Sequence, residues 1–262
     1  MMKRLFSALL LAVVILSCLP ASLQAQSDLR LASLRVGLWP EYDQPALLVI
    51  YWGQLAPETS YPATVRLRMP ARVAVPHVVA AQNGPDQAID EVDYTSVVEG
   101  DWRVITFQAG GPQFQFEYYD TLTRQGTRRT GEFTWPGDYA VDSLSVELQE
   151  PPGAQEVTTQ PALQIMQTSP EDGLVYRGGG FGALQAGQSL TIQVGYTRTR
   201  EELTTALLTA NRTTAATPST AAAPSGTDVI LLVMVAVVFF LLGAAAMRVA
   251  INLQALNRQR RR

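Results

Sequence analysis

Chemistry in this chain would have to be done with carboxylates, aromatic rings and arginine. Its one histidine is His77, its one cysteine is Cys18 and its one lysine is Lys3. A Ser–His–Asp arrangement or an imidazole-based metal site would rest on His77 alone. That residue sits in "RVAVPHVVA", which reads as a strand carrying a surface or packed histidine. Disulfides, zinc–thiolate sites and iron–sulfur clusters find no thiol beyond Cys18. Carboxylates are the opposite case. Residues 26–227 hold 22 Asp and Glu, so a pair for glycoside hydrolysis is available almost anywhere and its presence carries no specificity. Asp86, Asp90, Glu91 and Asp93, followed by Glu99 and Asp101, form an acidic knot of the oxygen-rich kind that binds calcium. The spacing matches no EF-hand or repeat-type loop, and solvated loop charge is the commoner outcome.

The most suggestive constellations are aromatic. Trp39-Pro40-Glu41-Tyr42-Asp43 and Trp135-Pro136-Gly137-Asp138-Tyr139 each place an Asp and a Tyr within four residues of a Trp-Pro. Trp39, Tyr42, Asp43, Trp135, Asp138 and Tyr139 are therefore candidate ligand-binding residues: ring platforms with carboxylates beside them can hold a carbohydrate, provided both indoles lie exposed on one surface. The competing role is a core plug, with each indole capping the end of a sheet ahead of a Pro turn. "YRGGGFG" at 176–182 fits no phosphate-binding pattern and leads into a strand, not a helix; it reads as a flexible hairpin loop. No cofactor is implied.

Positioning these residues falls to β-strands. Alternation of apolar and polar residues recurs at 46–52, 63–69, 102–108, 113–119, 143–148 and 189–197, with weaker runs at 34–39, 72–80, 93–98, 131–135 and 162–166. In "QFQFEYY", Phe114, Phe116 and Tyr118 share one face while Gln113, Gln115 and Glu117 share the other. Ten or eleven short strands bounded by Gly, Pro, Asp and Asn, with no helical periodicity between 28 and 200, predict an all-β, antiparallel β-sandwich. One large sandwich or two smaller lobes both fit this pattern, and "QAGGP" at 108–112 and "EPPG" at 150–153 are the places where two lobes would divide.

The ends of the chain read differently. Lys3 and Arg4, an apolar run to Leu16 and the small-residue stretch 21–25 make residues 1–25 a signal peptide, with lipidation of Cys18 as the alternative processing. Residues 26–203 are then the ectodomain. Thr, Ala, Ser and Pro dominate 204–227, a stalk composition that buries too little apolar surface to fold. Residues 229–247 carry no charge; at 1.5 Å per residue they span about 28 Å, a membrane-crossing helix assigned to 228–247. The tail 248–262 holds five Arg and no acid, whereas 26–227 holds 13 Arg against its 22 acids. The positive-inside rule puts the tail in the cytoplasm and the acidic domain outside. Clustered cations supply affinity for phosphate backbones, so nucleic acid is excluded as the ectodomain's partner. The membrane lipid bilayer is the expected partner of 228–247 and of the basic tail.

The segment "FGALQAGQSLTIQVGY" at 181–196 resembles the closing strand pair of fibronectin-like or immunoglobulin-like modules. Together with the two Trp-Pro motifs ahead of one C-terminal helix, it makes residues 34–198 similar to membrane-anchored β-sandwich ectodomains of Chloroflexi-type bacteria. The resemblance implies a fold and transfers no activity. The function expected is a non-catalytic binding or scaffold module outside the membrane, acting on other membrane or cell-surface proteins as an accessory subunit. A carbohydrate-binding surface module is the alternative, and a carboxylate-only glycoside hydrolase a third.

Overall fold

A computed structural model describes residues 29–215, with side chains through Ala210. The expected signal peptide with Cys18, the remainder of the stalk, the membrane segment and the basic tail all lie outside the described residues. Among those described, no helix is long and apolar enough to cross a membrane.

Fifteen strands and one helix are described. Eight strands form a mixed sheet in the order β13 (Gln164–Thr168), β14 (Val175–Leu184), β11 (Ala140–Gln149), β1 (Arg30–Pro40), β2 (Leu47–Leu55), β8 (Gln113–Asp120), β4 (Val78–Gln82) and β5 (Ile89–Glu91). A four-stranded sheet runs β12 (Gln155–Gln160), β15 (Leu190–Thr197), β10 (Arg128–Trp135), β9 (Thr123–Gln125), and a three-stranded one runs β3 (Ala63–Pro70), β7 (Trp102–Ala109), β6 (Tyr94–Glu99). Alternation does what the sequence requires of it. Phe114, Phe116 and Tyr118 of β8 are buried, as are Val65, Leu67 and Met69 of β3. Each strand turns one face inward, and removing that apolar area from water drives the layers together.

The inner face of the eight-stranded sheet packs on both smaller sheets. Tyr51 of β2 meets Phe133 and Trp135 of β10 edge-on, with ring centroids 5.9 Å apart in each case. Phe114 of β8 meets Phe107 of β7 at 6.0 Å. One buried cluster runs from Leu31 to Tyr196, with members on both sides of 108–112 and of 150–153.

Four expectations change. The sandwich is not wholly antiparallel, because β1 and β11 pair in parallel, Leu34 opposite Leu144 and Val36 opposite Val146, at the centre of the large sheet. The glycine-rich "YRGGGFG" is strand, part of β14, with Gly178 and Gly179 registered against Glu147 and Val146 of β11. A Cβ on Gly178 would stand 2.3 Å from the Met166 sulfur of β13, so close packing explains a glycine that composition reads as loop. The segment 181–196 does not close as a strand pair: β14 belongs to the eight-stranded sheet and β15 to the four-stranded one. Finally, the start of the expected stalk is α1 (Thr204–Ala215). Its composition is poor for a free helix, but its first turn is fastened to the body of the protein. The Thr204 and Thr205 amides donate to the Glu41 and Tyr42 carbonyls at 3.0 and 2.9 Å, which satisfies donors that a helix start leaves orphaned.

Candidate functional site

The two Trp-Pro motifs have opposite fates. Trp135 ends β10 on its inner face and is fully buried against Tyr51. The turn after it stitches the four-stranded sheet to β3. Asp138 accepts from the Arg68 backbone amide at 2.9 Å and is ion-paired with the Arg68 guanidinium, while Tyr139 Oη accepts from the Arg66 amide at 2.6 Å. Gly137 has φ +80°, and a Cβ there would lie 2.7 Å from the Gln188 nitrogen, so only glycine suits that position. Burial pushes the Asp138 carboxyl up against the pull of Arg68, and pushes the Tyr139 hydroxyl up to about 12.

Trp39 lies on the outer face of the large sheet, half-buried. Its ring packs on Tyr42 at 4.8 Å and on Trp52 at 6.3 Å, and Arg35 stands 4.0 Å over the Trp52 ring. Asp43 is exposed and accepts from the Tyr119 hydroxyl at 2.8 to 2.9 Å; His77, also exposed, sits against Tyr119 at 4.9 Å. Trp39, Tyr42 and Asp43 thus decorate one face, while Trp135, Asp138 and Tyr139 hold layers together inside. They do not make one platform, because Trp39 stands on the outer face of the eight-stranded sheet while Trp135 stands on the inner face of the four-stranded one.

Between the residues of the first motif sits one that sequence reading passed over. Glu41 is fully buried, with φ +50°, a backbone region that costs a non-glycine residue and persists only where its surroundings over-determine it. Its Oε1 accepts from Arg124 at 2.7 Å and from Arg129 at 3.4 Å; its Oε2 accepts from Tyr196 at 2.9 Å and from Arg198 at 3.0 Å. Glu201 bridges Arg124 and Arg129 from outside at 2.8 and 2.9 Å. Burial pushes the Glu41 carboxyl up, but the Tyr196 hydrogen bond and the arginines outweigh it, so the group is held below its ordinary value. Both carboxylate oxygens are saturated with donors, which suits a structural knot and leaves none to attack or protonate a substrate. Its partners lie 83 to 157 residues away along the chain, so no local motif announces it.

A cleft of about 820 Å³ lies on the outer face of the four-stranded sheet. Its floor is built in register. Gly195 of β15 lies between Thr130 of β10 and Thr158 of β12, and Gln193 lies between Glu132 and Gln160. Gly195 itself is buried beneath its neighbours in this row, and a Cβ there would stand 3.1 Å from the Thr158 hydroxyl and 3.6 Å from the Arg128 guanidinium. Glu132 accepts from the Gln193 amide at 3.3 Å. Thr121, Thr123 and Arg72 complete one wall, where Arg72 grips Asp120 through two bonds of 2.7 and 2.6 Å. The lining therefore offers hydroxyls, amides, one carboxylate and, in Arg128, a guanidinium with no ion pair among the described residues. Signals for it lie in the polar alternate positions of "RRTGEFTW" and "LTIQVGYT", but only the strand pairing turns them into one surface. No group of three or more His, Cys, Asp or Glu among the described residues could hold a metal ion, and the acidic knot at 86–101 lies along β5, β6 and their connections.

No protein-family model matches the chain, and no curated protein matches it. Among solved structures, a candidate protease from Parabacteroides distasonis is similar over 66% of this chain and 41% of that one, at 10% identity and a TM-score of 0.39. The chain spans less than half of that protein, and a likeness this slight carries no argument about activity.

Proposed function

We propose that this protein is a non-catalytic binding module, held outside the membrane by the segment 228–247, and that the cleft over Gly195 is its ligand seat. The observation that carries the reading is the lining of that cleft. Thr, Gln, Arg and Glu side chains stand on a rigid sheet at regular spacing, about 4.8 Å between strands, which suits the repeated hydroxyls of a carbohydrate. Specificity in such sites comes from a few well-placed polar groups on a scaffold that does not move. A two-carboxylate hydrolase gains no support here, since Glu132 is the one acid lining the cleft and general acid–base cleavage needs two.

The test is glycan-array binding by the full-length protein in lipid nanodiscs, with Gly195→Trp as the blocked form. An indole laid over the floor should weaken capture of any bound glycan by about tenfold or more, a loss of about 1.4 kcal/mol. Equal binding by Gly195→Trp, or no glycan bound at all, removes the cleft as a carbohydrate seat.

A further inference from the structure

The three-stranded sheet has two edges, and the fold treats them differently. At β3 the outward backbone amides of Arg66 and Arg68 are capped by the Tyr139 hydroxyl and the Asp138 carboxylate. At β6 the strand pairs with β7 on one side and meets no other backbone among the described residues on the other. All six of its residues are exposed. Val97 and Val98 are 56% and 51% exposed, and because they are adjacent they point to opposite faces; Tyr94 is 41% exposed. An uncovered strand edge with apolar side chains on both faces is a template for another strand, and proteins ordinarily blunt it with lysine, proline or a bulge. Here the sequence "YTSVVE" has none of these devices.

We infer that the β6 edge is a docking strand for an extended segment of a partner protein, apolar at alternate positions and basic at its ends. Main-chain hydrogen bonds would supply the affinity of such strand addition and side-chain pockets its selectivity. Charge decides the kind of partner. Glu91 and Asp93 precede the strand's apolar stretch, and Glu99 and Asp101 follow it, all exposed. The cations nearby are already engaged: Arg66 approaches Glu99 at 3.4 Å in an exposed pair, which is worth little, and Arg103 donates to Val73 and Ser96. A second copy of the chain fits poorly. Antiparallel pairing of two β6 strands would lay Glu91 and Asp93 of one alongside Glu99 and Asp101 of the other, and like charges across strands are destabilising. Lys and Arg flanking an apolar strand complement the same four acids. This surface lies on a different sheet from the cleft, so the two readings stand or fall separately.

The probes are two synthetic ten-residue strands of alternating Val and Thr, one ended by Lys and Arg, the other by Glu and Asp. Binding to the full-length protein in nanodiscs is followed by anisotropy, and hydrogen exchange reports on residues 94–99. The basic-ended strand should bind about tenfold more tightly than the acidic-ended one, protect the β6 amides, and lose its advantage as salt is raised. Val97→Lys should abolish the contact. Glu99→Lys with Asp101→Lys changes only exposed side chains and should reverse the preference towards the acidic-ended strand. Equal binding of both strands, binding with no protection of β6, or an unchanged preference in the reversed variant overturns the proposal. So does self-association of the chain that Val97→Lys abolishes, because the edge then belongs to a second copy.

Discussion

Glu41 shows how one residue can decide whether an arrangement is functional or structural. Its carboxylate holds three arginines and a tyrosine without access to water, and such a group is weak evidence for net stability but strong evidence for fragility. Glu41→Gln keeps the shape and removes the charge, leaving Arg198 buried without a counter-ion and Arg129 with Glu201 alone. The variant should lose about 3–5 kcal/mol, read as a lower urea midpoint at unchanged slope; a loss under about 1 kcal/mol would mean that Glu201 and the surrounding carbonyls suffice for the arginines. Sequence reading found this pentapeptide for its aromatic ring and its Asp, and overlooked the acid between them. Nothing local separates Glu41 from 21 other acids between 26 and 227, because what distinguishes it is burial beside Arg124, Arg129 and Arg198, a long-range fact. The same limit applied to Trp135 and Trp39: their shared Trp-Pro context did not encode which face of a strand each would take.

At the scale of elements, the chain was most legible where alternation was strict. The strands at 63–69, 102–108 and 113–119 appear almost at the bounds that periodicity gives them. What escaped were short edge strands such as β5, β9 and β12, whose residues are mostly exposed and so show no apolar period, and β14, whose glycines serve contact instead of turning. The helix α1 escaped for the opposite reason, since a Thr-rich segment has little intrinsic helical preference and gains its order from the β1–β2 turn. That account has a measurable consequence. The amides of Thr204 and Thr205 should exchange as slowly as those of the turn that holds them, whereas amides later in α1 exchange faster. Uniform exchange within seconds along the whole helix would show that the turn does not anchor it.

For the whole molecule, acid stability follows from the knot. A carboxyl whose folded value lies below its unfolded value stabilises the fold above the unfolded value, here 4.5, and loses that contribution as the pH falls through the folded value. Asp138 acts with the opposite sign, since its folded value is raised: its contribution is present at low pH and is lost as the pH rises through that value. The two act through different parts of the core, so unfolding midpoints between about pH 7 and pH 3 should fall in the native protein and fall much less in Glu41→Gln; parallel curves would assign the acid limb to other carboxyls. The position of the knot has a mechanical meaning as well. Tension arriving along the chain from beyond Ala215 enters the fold at Thr204 and Thr205, whose four bonds to the Glu41 and Tyr42 carbonyls are the first to bear load. Pulling on the C-terminus would peel α1 away before any strand is sheared, leaving Glu41 and its arginines as the next element to resist.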